Sequence, residues 1–255
     1  IVFHAAALKH VDRCELNPLE TINVNITGTK NIAKAAKKEN ISRMIFISTD
    51  KAVNPIGVMG ATKLLGEKLI SAEATHKSKT IFASVRFGNV FQTRGSILPR
   101  IEKQISKGGP ITLTNPEMKR FFMTKDDAVN LIISTATIAK GGETFVLKMP
   151  LISLKDLFDS MKDILASKYG YKPSQIETKI IGTRPGEKLV EYLLNEFEME
   201  NVLETKEFFI IPSLNMPVKT YPNAKKLQNS QSYFKGIKIL SKVEIVKILK
   251  KIYQN

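Results

Sequence analysis

Arg43-Met-Ile-Phe-Ile-Ser-Thr-Asp-Lys-Ala52, followed by Met59-Gly-Ala-Thr-Lys63, is the stretch that decides the fold. Residues 43–48 read as a strand: a short unbroken apolar run, Met44-Ile-Phe-Ile47, that ends in small polar residues, the pattern of a strand buried on both faces. Pro55 and Gly57 interrupt the chain, and good helix formers resume at Met59, which places Met59 and Lys63 one turn apart on a single face. A buried strand feeding a helix is part of a parallel βαβ unit, and in open sheets of such units ligands bind beyond the carboxyl ends of the strands. Thr49, Asp50 and Lys51 stand at that end.

The alternation extends both ways. Upstream, Phe3–Ala7 reads as the end of a core strand and 18–39 as a helix with an apolar stripe through Leu19, Ile22, Ile26, Ile32 and Ala36. Downstream, the pattern predicts a helix over 59–76, strands over 80–86 and 144–148, and helices over 126–138 and 154–165. Between them the rhythm loosens at Gly95, Pro99 and Gly108-Gly-Pro110, as expected of a second lobe, and a basic amphipathic helix is expected over 243–252.

Composition narrows the class. With 43% hydrophobic and 25% charged residues over 255 positions, the chain is globular rather than disordered or fibrous. No run approaches the eighteen or so apolar residues of a membrane span, and no signal peptide is visible, so a cytoplasmic location is expected with no membrane segment in the chain. The net charge of +15 comes mostly from lysines dispersed over several helices rather than from one basic recognition element. Nucleic acid is therefore not the expected partner, although a positive field would gather a nucleotide diphosphate. Cys14 has no partner for a disulfide, and neither it nor His4, His10 and His76 shows metal-ligand spacing, so no metal is expected.

Eight blocks, in order, resemble the extended short-chain dehydrogenases/reductases, in particular the nucleotide-sugar 4,6-dehydratases and epimerases of polysaccharide biosynthesis. They are Val2-Phe-His-Ala-Ala-Ala7 with Lys9-His-Val11, Asn25, Ser48–Ala52, Met59–Lys63, Arg86-Phe-Gly-Asn-Val90, Arg94-Gly-Ser96, Arg120-Phe-Phe122 and Arg184-Pro-Gly-Glu-Lys188. The resemblance implies a Rossmann-like parallel sheet with a smaller α+β substrate-binding lobe. Residues 1–150 would form a partial dinucleotide-binding domain, with 93–121 contributing to the substrate lobe, and 151–255 would complete that lobe. The sequence holds no G-x-G-x-x-G pyrophosphate loop. The expectation is therefore a chain that lacks the N-terminal βαβ unit, opens at the fourth strand and is inactive alone.

The same resemblance implies roles. A tightly held NAD or NADP would lie against Ala5, Ala6, Asn25, Lys63, Phe87 and Val90. Lys51 would be the base that takes the C5 proton, its pKa lowered by desolvation, with Asp50 as the acid toward the C6 hydroxyl. Lys63 matches the lysine of a Tyr-x-x-x-Lys pair, but Met59 stands where the tyrosine is usual, which moves proton transfer at C4 to Thr49, Asp50 or water. Lys9, Asn89, Arg94, Thr112, Arg120, Arg184 and Glu187 would bind the UDP-sugar, with Arg184 on the diphosphate and Glu187 on the ribose. The implied activity is 4,6-dehydration of UDP-N-acetylglucosamine, with or without inversion at C5, in a homo-oligomer. UDP-sugar 4-epimerisation and a noncatalytic remnant are the alternatives.

Overall fold

Residues 43–49 do form a buried strand, and the molecule is layered around it. The computed structural model describes residues 1–75, 77–93, 95–214 and 220–253. Strand β2 (Arg43–Thr49) lies between β1 (Val2–His4) and β3 (Ile81–Phe87), and β3 continues to β7 (Thr144–Leu147), all in parallel. Because side chains alternate along a strand, Met44 and Phe46 pack with Ala33, Ala36 and Ile70 on one face, whereas Ile45 packs with Leu131 and Ala136 on the other. Helices α3 (Gly28–Lys38) and α4 (Val58–Glu73) supply the first of these layers and α6 (Lys125–Ile138) the second. The expected α/β architecture, a parallel sheet covered on both sides, is present.

Local departures have local causes. The helix expected over 18–39 is three pieces: α2 (Pro18–Ile22), a π-helical turn over Asn23–Thr27, and α3. A further short helix, α1 (Val11–Leu16), precedes them. Helix α4 stops at Glu73 instead of reaching 76, because Ala74 turns to an extended conformation.

The second lobe holds a three-stranded sheet of β4 (Asn89–Val90), β6 (Lys119–Met123) and β8 (Leu151–Ser153), and a parallel pair of β5 (Ile111–Leu113) with β9 (Thr178–Ile180). Helices α5 (Ile97–Ile105), α7 (Leu154–Leu165) and α10 (Lys242–Tyr253) close its core around Leu98, Ile101, Phe158, Met161, Ile245 and Leu249. The division at residue 150 needs one correction. Strands β10 (Leu203–Glu204), β11 (Phe208–Ile211) and β12 (Lys225–Lys226) return to the large sheet beyond β7 in antiparallel fashion. The apolar run Phe208-Phe-Ile-Ile211 covers an edge that β7 would otherwise leave open.

Arg86, on β3, is fully buried and binds the two lobes together. Its Nε and Nη2 donate to the Glu67 carboxylate of α4 at 3.1 and 2.7 Å, and Nη1 and Nη2 donate to Glu198 at 2.9 and 2.8 Å. Glu198 lies on α8 (Glu196–Asn201), whose partner helix is α9 (Ser230–Gly236). A third acceptor is the Leu193 carbonyl, 2.8 Å from Nη1. Removing the cation leaves two buried carboxylates without a counter-charge, a change that typically costs about 3–5 kcal/mol. Arg86→Met is expected to lower the unfolding free energy by about that amount in urea titration; a loss below roughly 1 kcal/mol, the level of an exposed pair, would refute this account.

Candidate active site

The carboxyl ends of β2 and β3 open into a cavity of about 470 Å³ walled by Ala5, Ile47, Ser48, Thr49, Lys51, Met59, Lys63, Phe87, Asn89 and Val90. Its far side is formed by Lys9, Arg184 and Glu187. A smaller cavity of about 190 Å³ shares Lys51, Asn89, Ser96 and Glu187 with it and adds Arg100, Thr114, Met118, Arg120, Phe158 and Glu191.

Steric contact sets the first wall. After β2 the chain makes a tight 3-10 turn over Asp50–Ala52, and α4 crosses directly above it. A Cβ on Gly60 would fall 2.2 Å from the Lys51 carbonyl oxygen, so only glycine permits this approach. The start of α4 is capped from outside: Glu15 Oε1 accepts the Val58 amide hydrogen at 2.6 Å. Met59 and Lys63 consequently face the cavity one turn apart, both almost fully buried. Lys63 Nζ donates to the Ile47 carbonyl at 2.7 Å and sits 4.6 Å from the centre of the Phe46 ring. Burial pushes its pKa down to about 8, against the raising field of Glu67.

Asp50 and Lys51 separate in space. Asp50 is fully buried and lies behind the wall, where its Oδ1 accepts from the Thr49 hydroxyl and from Lys51 Nζ, each at 3.0 Å. Its Oδ2 has no hydrogen-bond partner. Lys51 is 24% exposed and reaches the cavity. The lowered pKa expected of Lys51 is corrected by this surrounding: burial pushes it down, but the Asp50 and Glu191 carboxylates outweigh that, with Arg120 opposing them, and the net shift is upward. Lys51 therefore rests as an ammonium.

Several expected ligand groups are occupied by the protein itself. Asn25 sits in the π-helical turn, where its Nδ2 donates to the Leu8 carbonyl and the Thr62 hydroxyl, each at 3.0 Å, and its Oδ1 accepts the Leu8 amide hydrogen at 2.8 Å. It fastens the loop after β1 to α4 instead of lining the cavity. Thr112 lies off the wall and pairs with Gln104 through both its amide and its hydroxyl; Thr114, two residues on, takes the wall position. Ala6 points away, and only Ala5 and Ala7 reach the cavity. Arg120 borders the smaller cavity, but its guanidinium donates to the Lys119, Leu189 and Lys188 carbonyls, so it pins the chain that follows Arg184. Asn89 Nδ2 donates to the Phe121 carbonyl at 3.0 Å. Arg94 falls outside the described residues.

Three wall groups escaped the sequence reading. Arg100 lies on α5 and Ser96, quoted above only as the end of the Arg94-Gly-Ser96 block, stands at its N-terminus; the helix is legible only from Ser96 standing before the apolar positions 97, 98, 101 and 105. Ser96 Oγ and Arg100 Nε are buried without a protein partner. Burial and then the nearby Arg184 charge push the Arg100 guanidinium below its ordinary range. Two crowded guanidinium groups and an unpaired hydroxyl suit a diphosphate. Glu191, four residues after Glu187 and not singled out by any sequence pattern, is 3% exposed. Among the described residues, no cluster of three or more His, Cys, Asp or Glu could hold a metal ion, and no helix is long and apolar enough to cross a membrane.

Comparison with known proteins identifies relatives of this chain. The family model described as "Polysaccharide biosynthesis protein" matches residues 1–213. "Uncharacterized membrane protein MJ1061" of Methanocaldococcus jannaschii is 51% identical over 99% of this chain and 74% of its own length. The capsular polysaccharide biosynthesis protein CapD of Staphylococcus aureus is 48% identical over 78% of the chain and 33% of its own length. A UDP-glucose 4-epimerase of Rickettsia rickettsii is 40% identical over 83% of the chain and 60% of its own. The chain thus spans only a part of each, a third in the case of CapD. Among solved structures, Pen from Bacillus thuringiensis superposes with a TM-score of 0.88 at 40% identity, covering 98% of this chain and 75% of that one.

Lys63 gives the site a pH signature. Its folded pKa of about 8 lies below the value near 10.4 typical of an unfolded lysine. Between those values the unfolded chain holds more protons, so the Lys63 contribution to stability rises with pH across that window and is fully unfavourable below it. The unfolding free energy of the wild type relative to Lys63→Met is expected to increase from pH 8 to pH 10 in urea titrations; a flat difference refutes the assignment.

Proposed function

The chain belongs to the polysaccharide biosynthesis protein family, and from that premise we propose that it is a nucleotide-sugar 4,6-dehydratase whose substrate is UDP-N-acetylglucosamine. The observation that carries the reading is the Lys51 ammonium on the cavity wall, hydrogen-bonded at 3.0 Å to the buried Asp50 and facing the same cavity as Lys63. Epimerisation at C4 needs hydride exchange and proton transfer at the C4 hydroxyl alone. Elimination across C5 and C6 needs in addition a group that takes one proton and delivers another.

A nicotinamide cofactor fits the larger cavity by one test. Ser48 Oγ, at its floor, is buried without a partner, beside an amine on Lys63 and the apolar side chains of Met59 and Phe87. Lys63, Phe87, Val90 and Ala5 would hold its nicotinamide end, and when bound it would accept hydride from C4 and return hydride to C6. The chain's own residues handle the protons. The Thr49 hydroxyl, which donates to Asp50 Oδ1, replaces the usual tyrosine in drawing the proton from the C4 hydroxyl, a task the Met59 thioether cannot perform. Lys51, 24% exposed, releases its resting proton to solvent and, as a free amine, takes the proton from C5, acidified by the keto group at C4, while Asp50 holds the C4 hydroxyl proton relayed through Thr49. The same Nζ then gives that proton to the departing C6 oxygen, which leaves as water, and after hydride returns to C6 it takes the proton held on Asp50, 3.0 Å away, and delivers it to C5. Arg184 and Arg100, with Ser96, hold the diphosphate, and Glu187 faces the same space.

The 40% identity to a relative named UDP-glucose 4-epimerase supports a second reading, epimerisation at C4 alone. Product analysis separates the two. Incubating the chain joined to an N-terminal βαβ unit that carries the glycine loop with NAD or NADP and UDP-N-acetylglucosamine in D2O is expected to give, by nuclear magnetic resonance, a 4-keto-6-deoxy sugar carrying deuterium at C5. Lys51→Ala is expected to slow its formation by at least about a hundredfold, the usual scale of acid–base catalysis. A C4 epimer with unlabelled C5, no turnover at all, or undiminished elimination in Lys51→Ala would overturn the proposal. Arg100→Ala is expected to raise KM about tenfold or more with little change in kcat, as loss of a charge-assisted hydrogen bond does.

A further inference from the structure

Glu191 has a position that neither folding nor substrate binding explains. It is 3% exposed, borders the smaller cavity, and its Oε2 accepts no hydrogen bond. Burying a carboxylate in that state is unfavourable unless opposite charge surrounds it. Two lysines do so: Lys51 Nζ lies 3.8 Å from Oε1, and Lys188 Nζ lies 3.5 Å from Oε2. The Glu191 backbone is aimed there from a neighbouring strand, since Arg120 holds the Lys188 carbonyl at 2.6 Å and the Leu189 carbonyl at 2.9 Å. Lys188 is anchored in turn by donating to the Val53 carbonyl, just past the turn that carries Lys51.

We propose that Glu191 is a positioning residue for Lys51: its carboxylate, wedged between two lysines, fixes where the Lys51 amine sits and how tightly that amine keeps its proton. The inference rests on the reading of Lys51 as the group that carries protons to and from the ring. Every charged element around the amine takes part. Asp50 bonds it from its own turn, Glu191 faces it from the 188–191 segment, Arg120 opposes both from β6, and Lys188 competes for Glu191. Two changes should consequently act in opposite directions. Neutralising Glu191 removes a negative neighbour from Lys51, whereas neutralising Lys188 leaves the Glu191 charge to Lys51 alone.

The test reads Lys51 without turnover. Competitive labelling with acetic anhydride from pH 7 to 11, with the modified peptides quantified by mass spectrometry, gives the titration midpoint of that amine in the chain. Glu191→Gln is expected to lower the midpoint by about one unit, so that Lys51 reacts about tenfold faster at pH 8. Lys188→Met is expected to raise it. An unchanged midpoint in Glu191→Gln, or shifts of the same sign in both variants, overturns the inference. Should Glu191→Gln fail to fold in a thermal melt, Lys188→Met decides alone, because a midpoint that is unchanged or lower there contradicts the competition. Opposite shifts in a protein that performs no dehydration would refute the proposed activity and leave this inference standing. Where dehydration is observed, the pH profile of kcat in Glu191→Gln is expected to move by the same amount as the midpoint.

Discussion

The buried guanidinium of Arg86 is the constraint on which the arrangement of this molecule depends. It draws together a strand of the parallel sheet, the middle of α4 through Glu67, and the second lobe through Glu198 and the Leu193 carbonyl. Each of these elements also carries part of the site: β3 runs into Phe87 and Asn89, α4 presents Met59 and Lys63, and the chain leading to Leu193 carries Arg184, Glu187 and Glu191. A fully desolvated cation held by two bidentate carboxylates tolerates little displacement, since any rotation leaves charge unpaired in a low-dielectric interior. The cavity walls are therefore held in register by an ion triad outside the cavity.

Much of this was legible in the sequence because it follows from short-range pattern. The apolar run at 44–47, the break at Pro55 and Gly57 and the helix formers after Met59 dictate strand, turn and helix, and the structure has all three. Residues that lie at strand ends, such as Thr49, Lys51 and Asn89, fall on the cavity wall because parallel sheets leave that edge open. Long-range packing was not legible. The return of Phe208–Ile211 to the first sheet depends on which edge stays uncovered, and nothing in its own four residues names that edge.

Side-chain roles failed to show wherever a neighbour from a distant segment captured the group. Asn25 and Arg120 carry the residue types expected of ligand clamps, yet Leu8, Thr62, Lys188 and Leu189 occupy their donors. The charge on Lys51 is a sharper case. Desolvation, which can be guessed from its place after a buried strand, pushes toward a free amine, but the Asp50 carboxylate and then Glu191, which approaches across a separation of 140 residues, outweigh it and keep the ammonium. The sign of a pKa shift is a property of the assembled site.

The closeness of Gly60 to the Lys51 carbonyl has one more consequence. The turn and the helix touch through backbone atoms, so that half of the pocket behaves as a single casting with no side chain available for gradual adjustment. The opposite half, residues 184–191, is tethered by side-chain hydrogen bonds from Arg120 and Lys188, which substitution can lengthen, re-aim or remove one at a time. Divergence in what the pocket accepts has chiefly that side to work on, and proteins of this architecture that differ in their ligands are expected to agree at the casting and differ along the tethered segment.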